Sequence, residues 1–186
     1  QIDDFNTGIF SPHLEYFKKE KIEVLLLTDK IDEWKITDHT DYDKKKFLSV
    51  KNFKINNENL VLNEKENIIL NKIKLLLKDK VSDVRFSKML IDYPSRVILD
   101  NLHTNSQIKK IMLLSGQKIP EKKYILELNH SHEFIRFIKN ESLGDDELSD
   151  IVNFLLYQAL LLEGTNIIDI YSFNKLINKY FSAYYS

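Results

Sequence analysis

The stretch ELSDIVNFLLYQALLLEG, residues 147–164, carries more apolar surface than one neighbour can cover. Read at helical spacing, Leu148, Ile151, Val152, Leu155, Ala159 and Leu162 form a single stripe, the pattern of a core-facing helix. Phe154, Tyr157, Leu160 and Leu161 fill the remaining arc, which only Ser149, Asp150, Asn153 and Gln158 interrupt. Such a helix needs packing on two sides. Asp145, Asp146 and Glu147 put carboxylates where the helix dipole favours them, and Gly164 is placed to cap the far end.

A second amphipathic stretch, residues 169–185, follows directly. Phe173, Leu176, Ile177, Tyr180, Phe181 and Tyr184 recur at helical spacing, while Asn174, Lys175, Asn178 and Lys179 face away. For two helices, apolar burial and the cost of ordering the chain are of the same order, so the pair needs further partners. No later sequence covers them, and a second copy of the chain is the natural partner, giving a four-helix association. The expected seam comprises Ile151, Leu155, Leu156, Ala159, Leu160 and Leu162 of the first helix with Phe173, Leu176, Ile177 and Tyr180 of the second.

The chain's 186 residues are enough for one large domain or two small ones with a real core. Lys and Arg number 27 against 28 Asp and Glu, so net charge points to neither nucleic acid nor anionic lipid. Cysteine is absent, which excludes disulfides and thiolate metal sites and fits a reducing compartment. No apolar run reaches the length of a membrane span, and QIDDFNTGIF at the start has neither the basic nor the apolar part of a signal peptide. The expectation is a cytoplasmic protein, and the missing initiator Met suggests a piece of a longer one.

Towards the amino end, Ser11 reads as an N-cap with Pro12 at the first helical position, and Leu14 and Phe17 supply the inner face of a short helix ending near Lys21. The apolar run EVLLL, ending at Leu27, predicts a strand covered on both faces. Thr28 or Asp29 caps a helix through Ile31, Trp34 and Ile36, and Phe47 to Val50 predicts a second strand. Helix, strand, helix, strand describes a small α/β unit. Between Lys51 and Asn63 large apolar residues thin out, which sets a domain boundary, drawn as 1–55 and 56–186.

Beyond it, Ile68, Ile69, Ile73, Leu76 and Leu77 predict a helix, and Val84 and Phe86 alternate with Arg85 and Ser87 in a strand. A turn at Asp92 to Ser95 leads to a strand from Arg96 to Leu99, which predicts a hairpin. Ser106 to Gly116 is expected to be helical and Tyr124 to Leu128 a strand, after which Asn129 or Ser131 caps a helix carrying Phe134, Phe137 and Ile138. The expected fold class is α+β: a small α/β unit, then a mixed α/β domain ending in the helical pair.

Several of these stretches, in this order, resemble the heat-shock protein 90 chaperone family, specifically its bacterial branch. SPHLEYFKKEKIEVLLLTDKIDEW (11–34) resembles the end of the family's middle domain, and SGQKIPEKKYILELN (115–129) and LLYQALLLEG (155–164) resemble its C-terminal domain. His130 and Ile170 stand where the family commonly has proline. The resemblance implies a homodimeric molecular chaperone joined through its last helices, with ATP and Mg bound in a separate domain that is absent here. It implies no cofactor and no catalysis for this chain, and unfolded or partly folded client proteins as partners.

The helix after His103 bears on the client role. Ile108, Ile111, Met112, Leu113 and Leu114 place apolar groups on more than one face, which core burial explains in part. The resemblance implies that such a helix offers apolar side chains to clients, at Thr104, Ile108, Ile111 and Met112 here. A flexible Met in an apolar patch suits a binder that accepts many sequences. Trp34 has two readings, burial in the α/β unit or contact with clients, and the resemblance favours the second.

Other residues point to less. Asp38, His39, Asp41 and Asp43 supply donors without the spacing of a known metal site, and a solvated loop explains them. His130 and His132 read as polar residues at a helix start, Lys44 to Lys46 as a solvated turn, and four scattered glycines form no phosphate loop. Two rivals to a chaperone piece stand: a small enzyme with a site near Asp29 to Asp43, and a plain dimerisation module.

Overall fold

The computed structural model describes residues 5–29, 31–32, 36, 41–53, 60–100, 123–140, 143–165 and 169–184. Its architecture mixes helices and small sheets, as the sequence predicts. The centre is a three-stranded sheet of β3 (Asp83–Ser87), β4 (Ser95–Leu99) and β5 (Tyr124–Asn129), preceded in sequence by a short β1–β2 hairpin (Asp41–Tyr42 and Lys45–Lys46). The expected β3–β4 hairpin does not form. Instead β5 lies between them, parallel to β3 and antiparallel to β4.

The side-chain alternation of β5 explains that order. Leu126 and Leu128 are matched in register with Val84 and Phe86 on one side, and Leu126 with Val97 on the other, giving one apolar face. On the opposite face Glu127 is registered with Arg85 and with Arg96, so one carboxylate meets two guanidinium groups. Pairing β3 directly with β4 puts like charges in adjacent strands.

Against the apolar face pack α3 (Glu64–Leu77), α4 (Glu133–Asn140) and α5 (Asp145–Leu162). α3 starts with a reciprocal capping box: the Glu66 N–H donates to Asn63 Oδ1 at 2.9 Å, and the Asn63 N–H to Glu66 Oε2 at 3.1 Å. Leu70, Ile73 and Leu77 turn into the core, whereas Ile68 is exposed and Ile69 and Leu76 are half-buried. In α4 the buried residues are Ile135 and Ile138, and Phe137 faces outward. Neither Asn129 nor Ser131 caps α4. The cap is His132, whose Nδ1 accepts from the Phe134 N–H at 3.1 Å and whose carbonyl accepts from Arg136.

The long helix α5 matches its expected ends, with three acids in its first turn and Gly164 at φ 71°, a left-handed cap. Leu148, Ile151, Val152, Leu155, Leu156 and Ala159 are buried in the main core. The Ser95 hydroxyl donates to the Leu155 carbonyl at 2.9 Å and pins α5 on β4. α6 (Ile170–Tyr184) then starts at Asp169, whose Oδ1 accepts from the Ser172 N–H at 2.9 Å.

The amino-terminal part departs most from expectation. Ser11 accepts from His13 and Pro12 opens a 3-10 turn into α2 (Glu15–Lys19), after α1 (Phe5–Gly8). α2 ends near Lys21, which takes φ 56°. Asp29 rather than Thr28 makes the next cap, accepting from Ile31 at 3.4 Å, and Ile31, Asp32 and Ile36 are helical. Both predicted strands are absent: residues 22–28 and 47–49 are irregular, and Leu25 and Leu48 are exposed. Neither run pairs with a described strand. The two apolar runs instead line a cavity of about 990 Å³ together with Leu14, Phe17 and Phe53. The boundary at 55/56 falls outside the described residues.

Candidate dimer and client surfaces

Of the ten expected seam residues, four lie in the chain's own main core: Ile151, Leu155, Leu156 and Ala159. Leu176 and Tyr157 are buried together in a second, smaller cluster against Phe154 and Phe173. The Phe173 ring stacks on Phe154 at 6.1 Å and meets Tyr157 edge-on at 5.7 Å, so α6 is docked on α5 by aromatic packing. An ion pair between Lys179 and Asp150 reinforces the contact. That carboxylate raises the pKa of the exposed lysine, by hydrogen bonding first and by its charge second.

Four expected residues remain partly or largely open: Leu160 and Ile177 are half-buried, Leu162 is 38% exposed and Tyr180 39%. Other apolar groups join them. Leu161 is 51% exposed at the end of α5, and on α6 Ile170, Tyr171 and Phe181 are 61%, 79% and 63% exposed. Ile170, Ile177 and Phe181 recur at i, i+7 and i+11, a stripe beside the one that Phe173 and Leu176 turn to α5. The signal for this second stripe was in the sequence: α6 is apolar over a wider arc than one neighbour needs.

The client candidates Trp34, Thr104, Ile108, Ile111 and Met112 lie outside the described residues, as does His39 of the rival metal site. Asp41 and Asp43 sit on the exposed β1–β2 hairpin. His130 is held in a polar cluster: its Nε2 lies 2.8 Å from Glu66 Oε1, which also accepts from Lys139 at 2.9 Å. The Lys139 ammonium above all, with Asn63 and His130, lowers the Glu66 pKa to about 2 against the opposing effect of burial. Among the described residues no helix is long and apolar enough to cross a membrane.

The family model described as Hsp90 protein matches residues 5–185. A chaperone protein HtpG from Buchnera aphidicola subsp. Baizongia pistaciae is 38% identical over 174 residues, covering 89% of this chain and 28% of the relative. Those of Serratia proteamaculans and Wigglesworthia glossinidia brevipalpis are each 36% identical, covering 97% and 95% of this chain and 30% and 29% of theirs. The chain belongs to the Hsp90 family. It spans 28–30% of the length of these curated relatives.

The motif stretches that carry the Hsp90 resemblance meet in space. His13 and Glu15 of SPHLE, Asn129 of LELN and Glu163 of LLLEG converge where the amino-terminal part meets the rest of the chain. His13 Nε2 lies 2.9 Å from Glu163 Oε2, and Lys51 pairs with the other oxygen. Burial pushes the Glu163 pKa up, but His13 and Lys51 outweigh it and the carboxyl is held below its ordinary value. The Glu15 carboxylate accepts from three successive backbone N–H groups, those of Ile91, Asp92 and Tyr93, at 2.7, 3.0 and 3.1 Å. Sequence reading assigned none of these residues a role beyond local structure.

Proposed function

We propose that this chain is the dimerising and client-contacting part of an ATP-dependent molecular chaperone. The observation that carries the reading is the apolar stripe left open on α6 and at the end of α5 in an Hsp90-family chain. Leu160, Leu162, Ile177 and Tyr180, joined by Leu161, Ile170 and Phe181, form the seam, and two copies of α5 and α6 make a four-helix bundle. Burying such side chains contributes roughly 1.5 to 3 kcal/mol each when the burial is complete. The chain itself holds no catalytic centre. The longer protein supplies ATP and Mg in a domain outside this chain, and it works in the cytoplasm on unfolded or partly folded proteins. Residues 1–55 belong to the end of its middle domain and 56–186 to its C-terminal domain.

Light scattering across a dilution series tests the dimer, and a monomer at micromolar concentration refutes it. Changing Tyr180 and Phe181 together to Glu is expected to give a folded monomer. Client contact is proposed for Trp34, Thr104, Ile108, Ile111 and Met112. Changing Ile108, Ile111 and Met112 together to Ser should weaken binding to an unfolded model protein. Unchanged affinity instead leaves a plain dimerisation module.

A further inference from the structure

Among the described residues, the two buried apolar clusters draw no member from before Leu60. Directional polar contacts tie the amino-terminal part to the remainder, and the most concentrated is at the loop between β3 and β4. Three consecutive N–H groups there converge on one side chain, the arrangement of an anion-binding nest. The nest is built from behind. Asn129, almost fully buried, donates its side-chain amide to the carbonyls of Ile91 and Tyr93 at 3.0 and 3.1 Å, and its N–H to Pro94 at 2.8 Å. With those carbonyls held inward, the N–H groups are left facing α2. Met89 and Leu90, both buried, anchor the start of the loop, and the Ser87 hydroxyl accepts from the Met89 N–H at 3.1 Å.

Glu15 occupies the nest with both oxygens: Oε2 takes the Ile91 N–H, and Oε1 takes those of Asp92 and Tyr93. Charge-assisted bonds of this kind are stronger than neutral ones, and they demand the right length of side chain. The Tyr93 hydroxyl returns the contact by donating to the Phe10 carbonyl at 3.1 Å. A second anchor, the ion cluster of His13, Glu163 and Lys51, grips the end of α5. Two anchors at separate points fix an angle, whereas one leaves a pivot.

We propose that the 91–93 loop is a carboxylate-binding site filled in cis by Glu15, and that this clasp, with the His13–Glu163–Lys51 cluster, sets the angle between the amino-terminal part and residues 60–184. Glu15 is a positioning residue. Because the clasp is a handful of polar bonds, and the two apolar clusters found among the described residues lie on one side of it, it can release and re-form while both sides stay folded.

The test uses the full chain, whose lack of cysteine allows a pair of spin labels at Lys19→Cys and Lys78→Cys, both exposed positions. In Glu15→Ala, hydrogen exchange at the amides of Ile91, Asp92 and Tyr93 should speed up by about tenfold or more. The distance distribution between labels should broaden, while the amides of Leu126 and Leu128 keep their protection. Added acetate should restore protection at 91–93 without narrowing the distances, since it fills the nest without tethering α2. Glu163→Gln should broaden the distances and leave exchange at 91–93 unchanged. Unchanged exchange and distances in Glu15→Ala overturn the proposal. So does loss of protection along β5, which makes Glu15 a support of the core, and so does failure of acetate to protect the loop.

Discussion

Replacing Glu127 by Gln tests the reading of the central sheet most directly. The Glu127 and Arg96 side chains are only 3% and 4% exposed, whereas Arg85 is 33% exposed and can turn to water. Four bonds hold the carboxylate: Arg85 Nε and Nη2 donate to Oε1 at 2.9 and 2.7 Å, and Arg96 Nε and Nη2 donate to Oε2, each at 2.7 Å. Among the described residues Arg96 Nη1 already lacks a partner, so the variant leaves a buried cation with neither charge balance nor its full set of acceptors. Removing one member of such a group costs about 3–5 kcal/mol. The lower end, about 3 kcal/mol, applies because Arg85 can rehydrate. Urea denaturation followed by circular dichroism should show that loss at pH 7, with a melting point lowered by roughly 6–12 °C. The sign with pH follows from the carboxyl's environment. Burial raises the Glu127 pKa, but Arg96 and Arg85 together outweigh it and hold it below its ordinary value. Its contribution is therefore complete above the unfolded carboxylate range, near pH 4.3, and is lost as pH falls below it. The gap between native chain and variant should narrow between pH 6 and pH 3. A loss under about 1 kcal/mol at pH 7, or a gap indifferent to pH, refutes the account. Glu127→Leu combined with Arg96→Met should recover much of the stability, since apolar replacement of both partners removes the desolvation cost.

Glu66, with a pKa lowered from 4.5 to about 2, should stabilise the fold fully above pH 4.5 and lose that effect as pH drops towards 2. The linkage is worth at most roughly 3 kcal/mol; Glu66→Gln should remove this dependence from urea titrations taken across that window, and an unaltered acid profile argues against the cluster. Leu155→Ala, at a fully buried position, should cost about 2–5 kcal/mol, whereas Phe181→Ser, on the open stripe, should leave urea stability at low concentration within about 0.5 kcal/mol of the native chain. Equal losses for the two contradict their assigned places. Gly164→Ala meets no atom within 4 Å, so its cost should be the backbone cost alone, about 1 kcal/mol. A loss several times larger points to a packing role that the structure does not show.

Where a local rule and a burial demand coincided, the sequence was legible. Ser11-Pro12, the acid-rich start of α5, Gly164 and the alternation of Val84 and Phe86 all led to the observed element. The strands at residues 24–27 and 47–50 failed because an apolar run signals burial without naming a partner strand. The hairpin failed for a related reason. Residues 83–99 read locally as strand, turn, strand, but the arginines at 85 and 96 both need Glu127, which lies 42 and 31 residues further on, and that need sets the strand order. Glu15 in its nest was beyond reach, since backbone N–H groups leave no trace in residue identity. The capping box of Asn63 and Glu66 is legible as N-x-x-E before an apolar run.

The surplus apolar surface of residues 147–164 has two destinations, and the neighbours of α5 decide between them. β4, α3 and α6 take three sides of that helix, which uses up the stripe through Leu148, Val152 and Leu155 and most of the opposite arc. Only its last turn, at Leu161 and Leu162, is left open. α6 is differently placed, with α5 as its main described neighbour and apolar side chains over a wider arc than α5 can cover. In the proposed dimer a second copy is therefore recruited mainly through α6, with the end of α5 as the secondary contact. Glu substitutions separate the two cases: at Leu155 Glu should unfold the chain, and at Leu161 it should weaken association with the fold intact. If Leu161→Glu instead unfolds the chain, or Leu155→Glu yields a folded monomer, the seam lies on the face of α5 assigned here to the core.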